Sequence, residues 1–135
     1  YPVDTMLELM ASGMSTDELL ADYPDLQKED FLACIEYAAK LIQVKSIYKG
    51  KYTYMQKQHM SVDDKYRLVC FLKFEDDRLP EVYIIPATAW QKPNAILVDR
   101  KYDKPGQKSK PEWGISYTIK NKKLIEKYKA ENFFG

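Results

Sequence analysis

The feature that most constrains the fold of this chain is a change of character between Ile42 and Gln43. Before it, apolar residues recur at helical spacing; after it, Tyr-, Val- and Ile-rich runs read as strands. Charge changes at the same place. Residues 1–42 carry Lys28 and Lys40 against nine acids, a net of −7, whereas residues 43–135 carry nineteen Lys and Arg against eleven acids, a net of +8. The overall charge of +1 hides these two opposed parts. A switch of period and charge together predicts two modules, a helical one over 1–42 and a strand-rich basic domain over 43–135. The expected fold class is α+β: an N-terminal helix-turn-helix-like helical module followed by an antiparallel or mixed β-sheet with a C-terminal helix. The basic part is the natural place for nucleic-acid contact.

The chain of 135 residues is 45% apolar, enough for a real core. No apolar run approaches the roughly 20 residues that span a bilayer, so no membrane partner is expected. Cys34 and Cys70 lie far apart in apolar patterns and His59 is the single histidine. Without a Cys/His cluster the expectation is two reduced buried thiols in a cytoplasmic protein. The chain opens at Tyr1 rather than Met and shows no signal-peptide pattern, which predicts that further residues precede it.

In the acidic part, Asp4 is a candidate cap for a helix through Met6, Leu7, Leu9 and Met10, with Gly13 as its left-handed stop. Ser15-Thr16-Asp17-Glu18 is a capping box that opens a second helix, which Pro24 must end. Asp25 is the expected start of the longest helix, with Phe31, Ile35, Ala38 and Ile42 as its apolar stripe. Short helices joined by tight turns have the form of a helix-turn-helix unit. The start of the third helix, Lys28-Glu29-Asp30, would nevertheless meet phosphates with net negative charge. Residues 3–42 therefore read better as a module for packing, dimerisation or binding a protein partner than as a DNA reader.

The run Tyr1-Pro2-Val3-Asp4-Thr5-Met6-Leu7-Glu8-Leu9-Met10-Ala11-Ser12-Gly13-Met14-Ser15, continued by Glu18–Leu26, Asp30 and Tyr37-Ala38-Ala39, resembles the family of domain of unknown function 433. These are small prokaryotic proteins, some of them antitoxins beside a ribonuclease-like toxin. The resemblance implies a helix-turn-helix-like fold and a protein partner, and no catalytic residues. Members of the family usually carry a strand and a Gly-Thr-Arg segment just before the position of Tyr1, which agrees with a chain that begins partway.

In the basic part, Val44–Tyr48 and Lys51–Met55 flank Lys49-Gly50 and predict a hairpin. Tyr66–Phe74 is the best buried-strand candidate, followed by the charged turn Glu75–Arg78 and a partner strand over Val82–Ile85. Pro86–Trp90 predicts a helical turn, and Ile96–Val98 and Ile115–Ile119 two further strands. A polar loop is expected between Asp99 and Gly114, and a helix capped by Asn121 along Leu124, Ile125 and Tyr128. Trp90 and Trp113 are expected core anchors.

The candidate catalytic residues are Gln43 and Lys45. Strand alternation puts two polar side chains one residue apart on one face, where an amide or carboxylate could help hold a metal and a lysine could stabilise phosphate charge. Ile42-Gln43-Val44-Lys45-Ser46, with Tyr52, Tyr54, the stretch Pro80–Pro86 and Lys110-Pro111-Glu112-Trp113-Gly114, resembles the later part of prokaryotic restriction-endonuclease-like proteins of unknown function, over residues 42–130. That resemblance implies a Mg²⁺ site, which needs an Asp on an earlier strand. The residues before Gln43 are helical and supply none, so no metal ligand is assigned and Mg²⁺ is expected only if the nuclease reading holds.

Lys49, Lys51 and Lys57, interleaved with Tyr48, Tyr52 and Tyr54, and Arg100, Lys101, Lys104, Lys108 and Lys110 in the long loop are the candidate nucleic-acid-binding residues. Three functions follow: a prokaryotic nucleic-acid-associated protein with an incomplete restriction-endonuclease-like core; an antitoxin-like interaction module; and a metal-dependent nuclease completed by residues outside this chain.

Overall fold

A computed structural model describes residues 1–134. The protein is α+β, and its chain divides into two compact units, Tyr1–Leu41 and Ile42–Gly135.

The first unit holds α1 (Val3–Ala11), α2 (Thr16–Asp22) and α3 (Lys28–Leu41). Pro2, with φ −65° and ψ 139°, is the N-cap of α1, and Asp4 lies in its first turn. Its carboxylate bonds the Thr5 amide and favours the positive end of the helix rather than capping it. Gly13 ends α1 as expected, at φ +99°. The Gly13 amide donates to the Met10 carbonyl and the Met14 amide to that of Leu9, the two bonds of a Schellman motif. At α2 the predicted capping box is present: the Glu18 amide donates to Ser15 Oγ at 3.2 Å, and the Ser15 amide to Glu18 Oε2 at 2.8 Å. α3 starts later than Asp25, because the Leu26 amide closes a turn onto the Tyr23 carbonyl and the first side chain to serve the helix end is Asp30, which accepts from the Gln27 amide. Its buried face is Phe31 and Cys34, not Phe31 and Ile35. With Met6 and Leu19 these make a small core, edged by Leu7, Leu9, Met10, Met14, Leu20, Tyr23 and Leu26.

The second unit holds β1 (Ile42–Ile47), β2 (Tyr52–Gln56), β3 (Leu68–Lys73), β4 (Glu81–Pro86), β5 (Leu97–Arg100), β6 (Glu112–Ser116) and α4 (Ala130–Phe134). They form two three-stranded sheets, one in the order β1-β3-β4 and one in the order β2-β6-β5. The predicted hairpin at Lys49-Gly50 is not formed. β1 pairs in parallel with β3, Ile42 opposite Leu68, and β2 pairs antiparallel with β6, Tyr52 opposite Ser116. The turn 48–51 therefore carries the chain from one sheet to the other. β3 is the central strand of its sheet, which explains its nearly unbroken apolar run: it buries Val69 and Phe71 on one side and leaves Leu68, Cys70 and Leu72 half-buried on the other.

The sheets share one core of Ile47, Met55, Val69, Phe71, Tyr83, Ile85, Trp90, Leu97 and Ile115, among others. Trp90 sits in the predicted turn, a 3₁₀ segment over Ala87–Gln91, and its Nε1–H donates to the Gly114 carbonyl at 2.9 Å. Asn121 does not cap a long helix. Its side chain is used upstream, accepting from the Thr118 amide at 2.7 Å and donating to the Ser116 carbonyl at 2.6 Å. Two 3₁₀ turns, Lys122–Leu124 and Glu126–Tyr128, and the short α4 follow.

Candidate functional site

β1 and β2 are both edge strands, each hydrogen-bonded on one side only within its sheet. The chain turns between them at 48–51, and between them opens a cleft of about 510 Å³ lined by Gln43, Lys45, Tyr52, Thr53, Tyr54, Met55, Gln56 and His59. Strand alternation decides what it contains. Ile42 and Val44 point to the outer side of their sheet and are 50% and 58% exposed, while Gln43 and Lys45 lie on the inner side with Ile47. The sequence-predicted pair is thus brought together on one face, opposite Val69 and Phe71 of β3.

Gln43 Oε1 is buried and has no hydrogen-bond partner among the described residues. A half-turn of the amide exchanges oxygen for NH₂, so this position can offer an acceptor or a donor. Across the cleft, Tyr52 and Tyr54 lie nearly parallel, with ring centroids 6.2 Å apart, and Tyr54 is 45% exposed. Beyond them Gln58 Nε2 donates to Gln56 Oε1 at 2.8 Å and lies 3.1 Å from His59 Nε2.

Tyr52 is held firmly. Its hydroxyl donates to Glu112, which is only 5% exposed, and the Arg100 guanidinium lies over its ring at 4.1 Å. Burial, then the Glu112 hydrogen bond, push the Tyr52 phenol far above its ordinary range, so it stays protonated. Gly114 permits this arrangement: a Cβ there would sit 2.7 Å from Tyr52 Cζ.

Among the described residues no carboxylate lines this cleft, and no group of three His, Cys, Asp or Glu is placed to hold a metal ion. Mg²⁺ prefers carboxylate oxygens and water. An amide, an ammonium and an imidazole are the wrong donor set, and the Mg²⁺ that a nuclease would need does not fit the residues present.

The candidate nucleic-acid-binding residues separate into distinct places. Lys57 is committed internally, paired with Asp99 and lying 4.0 Å over the Trp113 ring. Arg100 is stacked on Tyr52, and hydrogen bonding to Tyr102 raises its already high pKa. Lys101, Lys104, Lys108 and Lys110 are exposed on the loop between β5 and β6, which turns through Gly106 at φ +86°. Lys49 and Lys51 sit on the turn 48–51 and face a different concavity, with Lys73 and Lys122. Sequence reasoning missed these last two, because Lys73 ends β3 and Lys122 begins a 3₁₀ turn, both far from 49–51 along the chain. It also missed His59 and Gln56, for which no local motif exists.

Residues 1–38 match the model of a family described as Protein of unknown function (DUF433). This part of the chain is similar to that family. No curated protein and no solved structure matches the chain. The match stops short of β1, and the restriction-endonuclease-like resemblance of residues 42–130 is not supported by it.

Proposed function

We propose that the second unit binds single-stranded nucleic acid in the cleft between β1 and β2 and does not cleave it. The observation that carries this reading is the composition of the cleft: Gln43, whose amide oxygen has no partner, and the Lys45 ammonium stand opposite the Tyr52–Tyr54 pair, with no carboxylate among the described residues of the lining. A cation and neutral polar groups suit a phosphodiester. An exposed phenol ring suits an unpaired base, because stacking tolerates any base and contributes about 1–3 kcal/mol per base. Duplex bases are already stacked on one another and offer no free face to Tyr54. Metal-dependent hydrolysis would need carboxylate-bound Mg²⁺, and among the described residues the lining holds no group of that kind, so no metal-dependent cleavage step is assigned.

The test is fluorescence-anisotropy titration of wild type with labelled single-stranded and duplex oligonucleotides at 50 mM and 200 mM salt. Single strands should bind, more weakly at high salt. Lys45→Ala and Tyr54→Ala should each lower the affinity several-fold. No cleavage is expected with added Mg²⁺ or Mn²⁺. Absence of binding to any oligonucleotide at 50 mM salt would overturn the proposal.

A second reading concerns residues 1–41 and rests on the family similarity. These helices leave an apolar groove of about 400 Å³ lined by Tyr1, Val3, Met6, Leu26, Phe31 and Cys34, among others. An antitoxin-like module that binds a protein partner is the function this favours. Co-purification of a defined partner that survives removal of nucleic acid would support it; a chain that stays solitary would remove it.

A further inference from the structure

We infer that Lys49, Lys51, Lys73 and Lys122 form a second binding site, for a phosphoryl group, that is separate from the cleft at Gln43 and Lys45. The four lysines line a concavity of about 360 Å³ together with Gly50, Glu75, Tyr117, Thr118 and Ile119. The single acid in that lining, Glu75, is engaged with Arg78 at 3.3 Å. The neighbouring Asp76 accepts the Tyr48 hydroxyl. Glu81 offsets Lys122 alone, so the balance of charge facing the concavity stays positive.

The site is built rather than merely basic. The turn that carries Lys49 and Lys51 is tied at both ends: the Phe74 amide donates to the Ile47 carbonyl at 2.8 Å, and the Tyr117 amide to the Lys51 carbonyl at 2.7 Å. Lys73 Nζ is fixed by the Tyr48 carbonyl at 3.1 Å and the Phe74 carbonyl at 3.5 Å, which occupy two of its three N–H donors. Lys122 Nζ is fixed by Glu81 Oε1 at 2.8 Å and keeps donors in reserve. Thr118 Oγ1 accepts from the Asn121 amide at 3.3 Å, which leaves its own proton for a ligand. Two ammonium groups held in place, two on a braced turn and one hydroxyl donor match the oxygens of a phosphate, which accept several hydrogen bonds at once. Glu81 balances the charge of Lys122, while Lys49, Lys51 and Lys73 line the same concavity with no carboxylate among the described residues bonded to them, and an anion would balance that remaining charge.

The phosphoryl group could belong to a polynucleotide backbone or to a free phosphate, and the test has an arm for each. Wild type, the K49Q/K51Q variant and a K65Q/K92Q control of equal charge change are titrated with inorganic phosphate by calorimetry, and with a labelled thymidine oligonucleotide by anisotropy across a salt series. The four substituted lysines are exposed, so folding is kept. If the backbone is the source, K49Q/K51Q lowers oligonucleotide affinity at least tenfold more than the control and flattens the salt slope by about one to two, near 0.7 per lost contact on single strands. If the source is a free phosphate, inorganic phosphate binds wild type and not K49Q/K51Q, while oligonucleotide affinity matches the control. Equal behaviour of K49Q/K51Q and the control toward both probes overturns the inference. Loss of oligonucleotide binding in Lys45→Ala but not in K49Q/K51Q keeps the first cleft while overturning a backbone contact at this one. A wild type that binds phosphate but no oligonucleotide overturns the first cleft and keeps this site.

Discussion

The side chain of Gln43 leaves its Oε1 buried without a partner among the described residues, and an unpaired buried acceptor costs about 1–3 kcal/mol. Replacing it with an apolar residue of similar size removes that penalty. Gln43→Leu should therefore unfold at the same or a higher urea concentration than wild type, by up to about 1 kcal/mol, while binding single strands less tightly. Opposite signs in the two measurements are the mark of a residue kept for a ligand; a loss of stability on this substitution would mean that the amide serves the fold instead. Gly114 illustrates the converse, a residue kept for packing. Its missing Cβ is the space in which the Tyr52 phenol lies, over the strand, reaching Glu112. Gly114→Ala should force the ring aside and destabilise the second unit by about 1–3 kcal/mol, measured by urea unfolding followed through tryptophan fluorescence.

Elements differ in how openly the sequence declares them. The capping box at Ser15 and the stop at Gly13 were legible because each motif is local: a hydroxyl, a carboxylate three residues on, a glycine where φ must be positive. Ser15→Ala should lower the stability of the helical unit by about 1 kcal/mol, visible as an earlier loss of helical circular dichroism in urea. The long apolar run of β3 and the charged turn into β4 were legible for the same reason. The pairing of β1 and β2 was not. Lys49-Gly50 between two Tyr-rich runs has the chemistry of a hairpin, yet β1 finds its partner in β3 and β2 finds its own in β6, sixty residues on from Tyr52 to Glu112. Those preferences come from the shared core, in which Ile47 of β1 and Met55 of β2 are both buried, and a local pattern carries no trace of them. The same limit hid half of each site. Gln43 and Lys45 could be put on one face by counting, but the tyrosines and His59 opposite them, and the company of Lys73 and Lys122 around Lys49, depend on how the sheets close.

At the level of the whole molecule, the two units carry unequal cores. Four buried hydrophobic side chains, Met6, Leu19, Phe31 and Cys34, anchor residues 1–41, whereas the described residues of the second unit bury fourteen. Small cores are marginal, so the helical signal should be lost at lower urea than the fluorescence of Trp90 and Trp113, both of which lie in the second unit; coincident transitions would contradict this. The second unit also has a pH signature. Glu81 accepts from Lys122, Tyr83 and Tyr117, and the Lys122 hydrogen bond in particular holds its pKa below the ordinary glutamate value of 4.5. A carboxylate depressed in the folded state stabilises above its unfolded pKa and loses that contribution as pH falls through the folded value. Stability should therefore drop on acidification below about pH 4.5, and Glu81→Gln should flatten that limb of the pH profile. β1 adds a consequence of a different kind. Its apolar Ile42 and Val44 face outward while Gln43 and Lys45 face in, so side-chain burial alone would favour the strand shifted by one residue along β3. The observed ladder runs from Ile42–Leu68 to Ile47–Lys73, and because a slipped strand could remake its backbone bonds, the side chain that favours this register is Ile47, the buried one of β1. If that anchor were lost, as in Ile47→Ala, the strand would be free to slip, and a slip of one position would turn the cleft inside out.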